Sequence, residues 1–221
     1  MDAIIEQFFN VEIMARTFPI ILRGLGMTVL VCIAVVPLGL LGGLAVAFSM
    51  QTRFRPVRLL IAAFVDLFRA IPPLVLLIFV HSGLPFAGIQ LTAFGSVCLT
   101  FFLNTSAYYG EVYRAGIESV GLGQWQAARS TGLTAGQTGV YIILPQAVRN
   151  VLPDLISNTI EVVKLTSLAS VVALPEMLYS YDMARAVTYN ASPLTLAALI
   201  YLVLLWPLVR LVSRLEHRLG H

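Results

Sequence analysis

Residues Gly24 to Phe48, GLGMTVLVCIAVVPLGLLGGLAVAF, run without a single charged side chain. A helix needs about 20 predominantly apolar residues to cross the hydrocarbon core of a bilayer, so this stretch reads as a membrane span. Four more stretches qualify or nearly qualify: Leu59 to Val80, Ile89 to Tyr109, Leu155 to Leu174 and Leu194 to Val212. They are continuous rather than alternating and too few to close a barrel, which argues against spanning strands. The expectation is an all-α membrane protein with five transmembrane helices in one domain over residues 1–221.

Composition agrees. Of 221 residues 58% are apolar and 11% charged, with a mean hydropathy of +0.88, whereas an ordinary globular chain carries about 25% charged residues. The net charge of +3 includes one lysine, Lys164. That is no dense basic face, so nucleic acid is not an expected partner. Cys32 and Cys98 sit inside apolar runs as packing residues, with no redox or metal role. Asp2, Glu6, Phe8 and Phe9 open the chain where a cleaved signal peptide would carry basic residues.

Arginines near span ends set orientation, because cytoplasmic loops retain positive charge. Arg53, Arg55 and Arg58, then Arg114, Arg129 and Arg149, then Arg210, Arg214 and Arg218 all fall on one side of a five-span arrangement. The N-terminus is therefore expected outside, in the periplasm, and the C-terminus in the cytoplasm. The long segment of about 113–150 becomes an ordered cytoplasmic platform: a helix over Gln124 to Ser130, a stop at Gly132, a cap at Thr134, and an interruption at Pro145.

Within that platform, Gln126-Ala127-Ala128-Arg129-Ser130-Thr131-Gly132 is followed after nine residues by Ile142-Ile143-Leu144-Pro145. This resembles the EAA signature of ABC importer permeases, with Gln126 where glutamate is usual. Three other segments resemble the polar amino-acid branch of that family, the importers of histidine, arginine, glutamine and their relatives. They are Phe68-Arg69-Ala70-Ile71-Pro72-Pro73-Leu74, the run from Asn104 to Ile117, and Lys164-Leu165-Thr166-Ser167-Leu168, with Leu165 where aspartate is common.

The resemblance implies a type I importer transmembrane domain in the bacterial inner membrane, working by alternating access. It implies Gln126, Ala127, Ala128, Gly132, Leu144 and Pro145 as the coupling elements, since a short helix bearing two alanines leaves a shallow surface that a partner's groove approaches closely. The implied partners are a pair of cytoplasmic ATP-binding subunits, a second permease identical or homologous to this one, a periplasmic substrate-binding protein and membrane lipid. ATP and Mg would be held by the ATPase and no cofactor by this chain.

Polar side chains inside spans are costly and usually face a bundle interior or a wet cavity. Asp66 and Arg69, three residues apart, are expected to pair, with Arg69 also reaching carbonyls freed by Pro72-Pro73. Asn158, Glu161 and Lys164 form a stripe along span four, fit either to bind the two charges of an amino acid or, for Glu161 and Lys164, to pair with each other. Asn104, Thr105 and Tyr108 either face the same cavity or join helices. Leu165 belongs to the substrate segment. Gly39, Gly42 and Gly43 read as close-packing positions, and His81 as a solvated loop residue. With no Gly-Lys-Ser/Thr phosphate loop and no nucleophile or metal cluster, the chain is not expected to be an enzyme. The rival reading is a proton-coupled carrier relaying through Asp66, Glu111 or Glu161.

Overall fold

The computed structural model describes residues 1–52 and 54–219, with the backbone alone for Glu216, Arg218 and Leu219. Arg53, the Arg218 side chain and His221 therefore lie outside what is described. Among the described residues every regular element is helical. In chain order these are α1 (Asp2–Phe8), α2 (Val11–Met50), α3 (Arg55–Ala70), α4 (Pro73–Ile78), α5 (Ala93–Ser119), α6 (Leu122–Ser130), α7 (Ala135–Gln137), α8 (Leu144–Leu165), α9 (Met177–Thr188) and α10 (Ser192–Leu219).

The first expected span is the C-terminal part of a longer helix. Asn10 accepts from the Ile13 amide at 3.1 Å and starts α2, which then runs 40 residues. α5 lies along it in the same direction, Gly39 against Thr105 and Gly43 against Tyr109. A Cβ on Gly43 would stand 2.5 Å from the Tyr109 Cβ and 2.9 Å from the Gly110 amide nitrogen. The missing side chain therefore lets the two backbones meet. In lipid, where apolar surfaces gain little by leaving the solvent, such close packing is what holds helices together. Val31 and Val35 of α2, Leu77 of α4, Val97 and Phe101 of α5 and Val162 of α8 fill the shared core.

The stretch expected as the second span is bent into two helices. Pro72 and Pro73 end α3, and the axis turns by 103° into the stretch Pro73–Ala87. That stretch continues through a π-helical turn at Phe79–Gly83 and a 3₁₀ turn at Leu84–Ala87. His81 is half-buried, its Nδ1 3.1 Å from the hydroxyl of buried Ser96, and is not the solvated loop residue expected.

The expected break at Pro145 does not occur. Ala135 to Val172 is one helical path of 38 residues, with a π-helical stretch at Thr138–Ile143 ahead of the proline and a 3₁₀ segment at Thr166–Val172 closing it. A proline ring clashes with the carbonyl four residues back and leaves it without a donor; the wider π turn makes room.

By length and apolarity, Asp2–Met50, Ala135–Val172 and Ser192–Leu215 can each cross a membrane, and the bent pair around Pro72 makes a fourth if counted as one span. α5, at 27 residues, is long enough, but Ser96, Thr100, Asn104, Thr105 and Ser106 on its buried face make it more polar. At one end of the bundle α1 is strapped to the turn before α10: Asn190 Nδ2 donates to the Glu6 carbonyl at 3.0 Å and the Asn10 amide to Ser192 Oγ at 2.9 Å. At the other end of α9 from this strap Glu176 caps the helix, fully buried, with its two carboxylate oxygens accepting from the amides of Leu178 (2.9 Å) and Tyr179 (2.7 Å). Burial pushes this carboxyl up to about 7, against the opposing pull of those amides.

Candidate functional site

The helix break creates the site. In an unbroken helix the amides of residues 72 and 73 would bond the carbonyls of Phe68 and Arg69; proline supplies neither donor. Two side chains of α5 take their place, Asn104 Nδ2 on the Phe68 carbonyl at 3.0 Å and Tyr108 Oη on the Arg69 carbonyl at 3.5 Å. Arg69 itself was expected in that role. Its guanidinium instead lies 5.5 Å from the Tyr108 ring centroid, with Nη1 3.9 Å from Glu111 Oε1.

Among the described residues no ion pair joins Arg69 to Asp66, which stands exposed on α3. The helical spacing made that pair available. However, Arg69 sits in the last turn before the break, where the chain swings against α5 and offers an aromatic face and a carboxylate together.

Behind this joint is a cavity of about 230 Å³. Its polar wall is Asn104, Thr105 and Tyr108 of α5 with Asn158 and Glu161 of α8, and its apolar wall includes Pro73, Val162 and Leu165. Five of the six expected substrate residues thus converge. The sixth, Lys164, does not line the cavity; its Nζ lies 2.6 Å from Glu161 Oε1. Asn104 and Tyr108 do both things proposed for them, lining the cavity and joining helices. Tyr109, which the sequence did not single out, also lines it, fixed by a 2.8 Å hydrogen bond between its hydroxyl and that of Thr159. A volume of this size admits a small polar solute rather than a peptide.

The second candidate surface is the platform. α6 ends where Gly132 takes φ +89°, a left-handed conformation that a side chain would strain. Thr134 and Gln137 then form a reciprocal capping box. Trp125 packs with Val120, Ile143 and Ala147, clamping α6 to the base of α8. Gln126 and Ala127 face outward, but Ala128 is only 7% exposed and packs inward, so one alanine of the pair is presented rather than two. Leu144 and Pro145 open α8 on the exposed side of the same platform.

Residues 36–221 match the family described as binding-protein-dependent transport system inner membrane component. The chain belongs to that family. This permease is 38% identical over 213 residues to the probable glutamine ABC transporter permease protein GlnM of Bacillus subtilis (strain 168), covering 95% of this chain and 98% of the relative. It is 32% identical over 203 residues to the arginine transport system permease protein ArtQ of the same organism, covering 91% and 93%.

Among solved structures it resembles a chain from the crystal structure of an amino acid ABC transporter with histidines, at 33% identity and a TM-score of 0.87, covering 93% of this chain and 96% of that one. An inward-facing MetNI methionine ABC transporter chain, at 17% identity and a TM-score of 0.73 over 90% of this chain and 95% of that one, shares the fold. The permease is thus a multi-pass membrane subunit of the amino-acid ABC importer type.

One network in the permease was not anticipated. Glu111 receives both Arg69 and Arg114, and Arg114 Nη1 also donates to Glu118 Oε2 at 2.5 Å. The three-residue and four-residue spacings of Glu111, Arg114 and Glu118 were legible in the sequence as a helix-face ladder. The link to Arg69 was not.

Proposed function

We propose that this permease passes polar amino acids or their derivatives inward across the bacterial inner membrane by alternating access, with energy supplied by a separate ATP-binding subunit. The observation that carries the reading is α6. A nine-residue helix with the signature spacing stands on a clamped base, with Ala127 outward and its end fixed by Gly132. Such a helix transmits a push rather than absorbing it, because Trp125 fixes its angle to α8.

In this reading five spans cross the membrane with the N-terminus periplasmic and the C-terminus cytoplasmic. The ATP-binding dimer, holding ATP and Mg, seats α6 with Gln126, Ala127, Gly132, Leu144 and Pro145; Ala128 supports it from behind. A second permease, identical or homologous, completes the pathway, and a periplasmic binding protein delivers the solute to it. The cavity of Asn104, Tyr108, Asn158 and Glu161 holds the solute midway. The relatives named for glutamine and arginine support a polar amino acid as cargo.

The test is uptake of labelled L-glutamine and L-arginine into vesicles holding the whole complex. Uptake that needs ATP and the ATPase, and persists when a protonophore collapses the proton gradient, supports the reading. Uptake driven by the gradient without ATP is the behaviour of a proton-coupled carrier and overturns it.

A further inference from the structure

Four observations meet at the end of α3. The broken span leaves the Phe68 and Arg69 carbonyls to Asn104 and Tyr108, two side chains that also face the cavity. A solute that accepts the Tyr108 hydroxyl hydrogen, or the Asn104 amide hydrogen now given to Phe68, therefore competes with the bonds that hold α3 in place. The Arg69 guanidinium rests over the Tyr108 ring and reaches Glu111. Glu111 leads through Arg114 to Glu118, one residue before the end of α5, beyond which Val120 packs with Trp125 of α6.

We propose that Arg69 is a positioning residue that couples occupancy of the cavity to the coupling helix α6. When the cavity is empty, Tyr108 and Asn104 latch the end of α3, and Arg69 holds α3 to the lower part of α5. When a solute takes over the hydroxyl of Tyr108 or the amide of Asn104, the freed carbonyls and the loosened ring contact let α3 pivot at Ile71-Pro72. Arg69 then leaves Glu111, and the ladder leading to α6 changes its charge balance. A 3.9 Å contact between half-exposed groups adds little to stability, as is usual for solvent-exposed ion pairs, which suits a joint that opens and closes in each cycle. Such coupling needs two discrete arrangements, and the bend at Pro72-Pro73 is the joint at which they would differ.

The inference rests on the transport reading above, and its test is made in the complete complex with ATPase and binding protein in proteoliposomes. Labelled L-glutamine and L-arginine are the probes. Amino acid taken up per ATP hydrolysed should fall about five-fold or more in Arg69→Gln, within the usual range of coupling energies, while half-saturating concentration moves less than about two-fold. Glu111→Gln should show the same defect. The double variant should lose less than the two single losses combined, because the Arg69–Glu111 contact is common to both, while each substitution also removes a partner of its own, the Tyr108 ring or Arg114.

Tyr108→Phe keeps the ring but loses the hydroxyl, and should raise ATP hydrolysis in the absence of amino acid; it carries the test if Arg69→Gln fails to accumulate. Unaltered coupling in Arg69→Gln, or losses that add in the double variant, overturns the inference. If Arg69→Gln fails to accumulate, a Tyr108→Phe complex with unaltered ATP hydrolysis overturns it. Uptake by the parent complex without ATP would overturn the transport reading itself, a different result.

Discussion

Lys164 and Glu161 face each other across one turn of α8, Nζ 2.6 Å from Oε1, with the carboxylate lining the cavity and the ammonium outside it. The side chains are 49% and 61% exposed, so the pair adds at most about 1 kcal/mol to folding. The arrangement leaves Glu161 free to exchange its partner for the ammonium of a solute. Glu161→Gln should therefore accumulate normally yet raise the half-saturating concentration for L-arginine uptake by about ten-fold, equivalent to about 1.4 kcal/mol. An unchanged L-arginine curve would leave Glu161 as no more than the partner of Lys164.

Ala127 and Ala128 should fail differently. Ala127→Glu places a charge on the outward face of α6; the variant should melt like the parent but lose co-purification of the ATPase. Ala128→Leu forces a larger side chain into an inward contact and should cost about 1 to 3 kcal/mol of stability. A thermal melt and a pull-down on both variants decide it.

Gly43→Ala should be among the harshest single methyl additions in the chain. Its Cβ would lie 2.9 Å from the backbone nitrogen of Gly110, which cannot step aside as a flexible side chain could. Gly26 faces open space, with nothing within 4 Å of such an atom, and serves as the control. In detergent, Gly43→Ala should melt well below the parent while Gly26→Ala stays level or rises, since alanine favours the helix by up to about 1 kcal/mol.

Glu176 makes stability depend on pH. Its folded value of about 7 lies above the ordinary carboxyl value of 4.5. Between these two values the unfolded chain is ionised while the folded one keeps its proton, so stability should fall as pH rises through that window and level off above it. Glu176→Gln should flatten this part of the Tm against pH curve. A curve of the same shape in the variant would assign the dependence to other groups.

The apolar runs were legible because lipid demands them, and the platform because Gly132 and Thr134 carry local signals that act within a few residues. Span ends were less so: α2 extends beyond its apolar core to a cap at Asn10, and the path through α8 runs back through a π-helical turn to the capping box at Thr134. The broken span was half legible. Pro72-Pro73 announced the loss of two donors, but their replacements, Asn104 and Tyr108, come from 36 and 39 residues further on, a distance no local pattern encodes. The same reach defeated the Asp66–Arg69 expectation, because a neighbour on the same helix face was weighed while Glu111 on another helix was not. Ala128 was read as outward since a nine-residue helix offers too few turns to fix its buried face.

The seating of α6 in the ATPase is tested most directly by a single cysteine. With Cys32 and Cys98 replaced by alanine, Ala127→Cys is exposed to a membrane-impermeant maleimide in inside-out and right-side-out vesicles, with and without the ATPase. Labelling only in inside-out vesicles, and its suppression when the ATPase is bound, is the result expected of a cytoplasmic coupling helix. Labelling from the outside, or equal labelling with and without the ATPase, contradicts it.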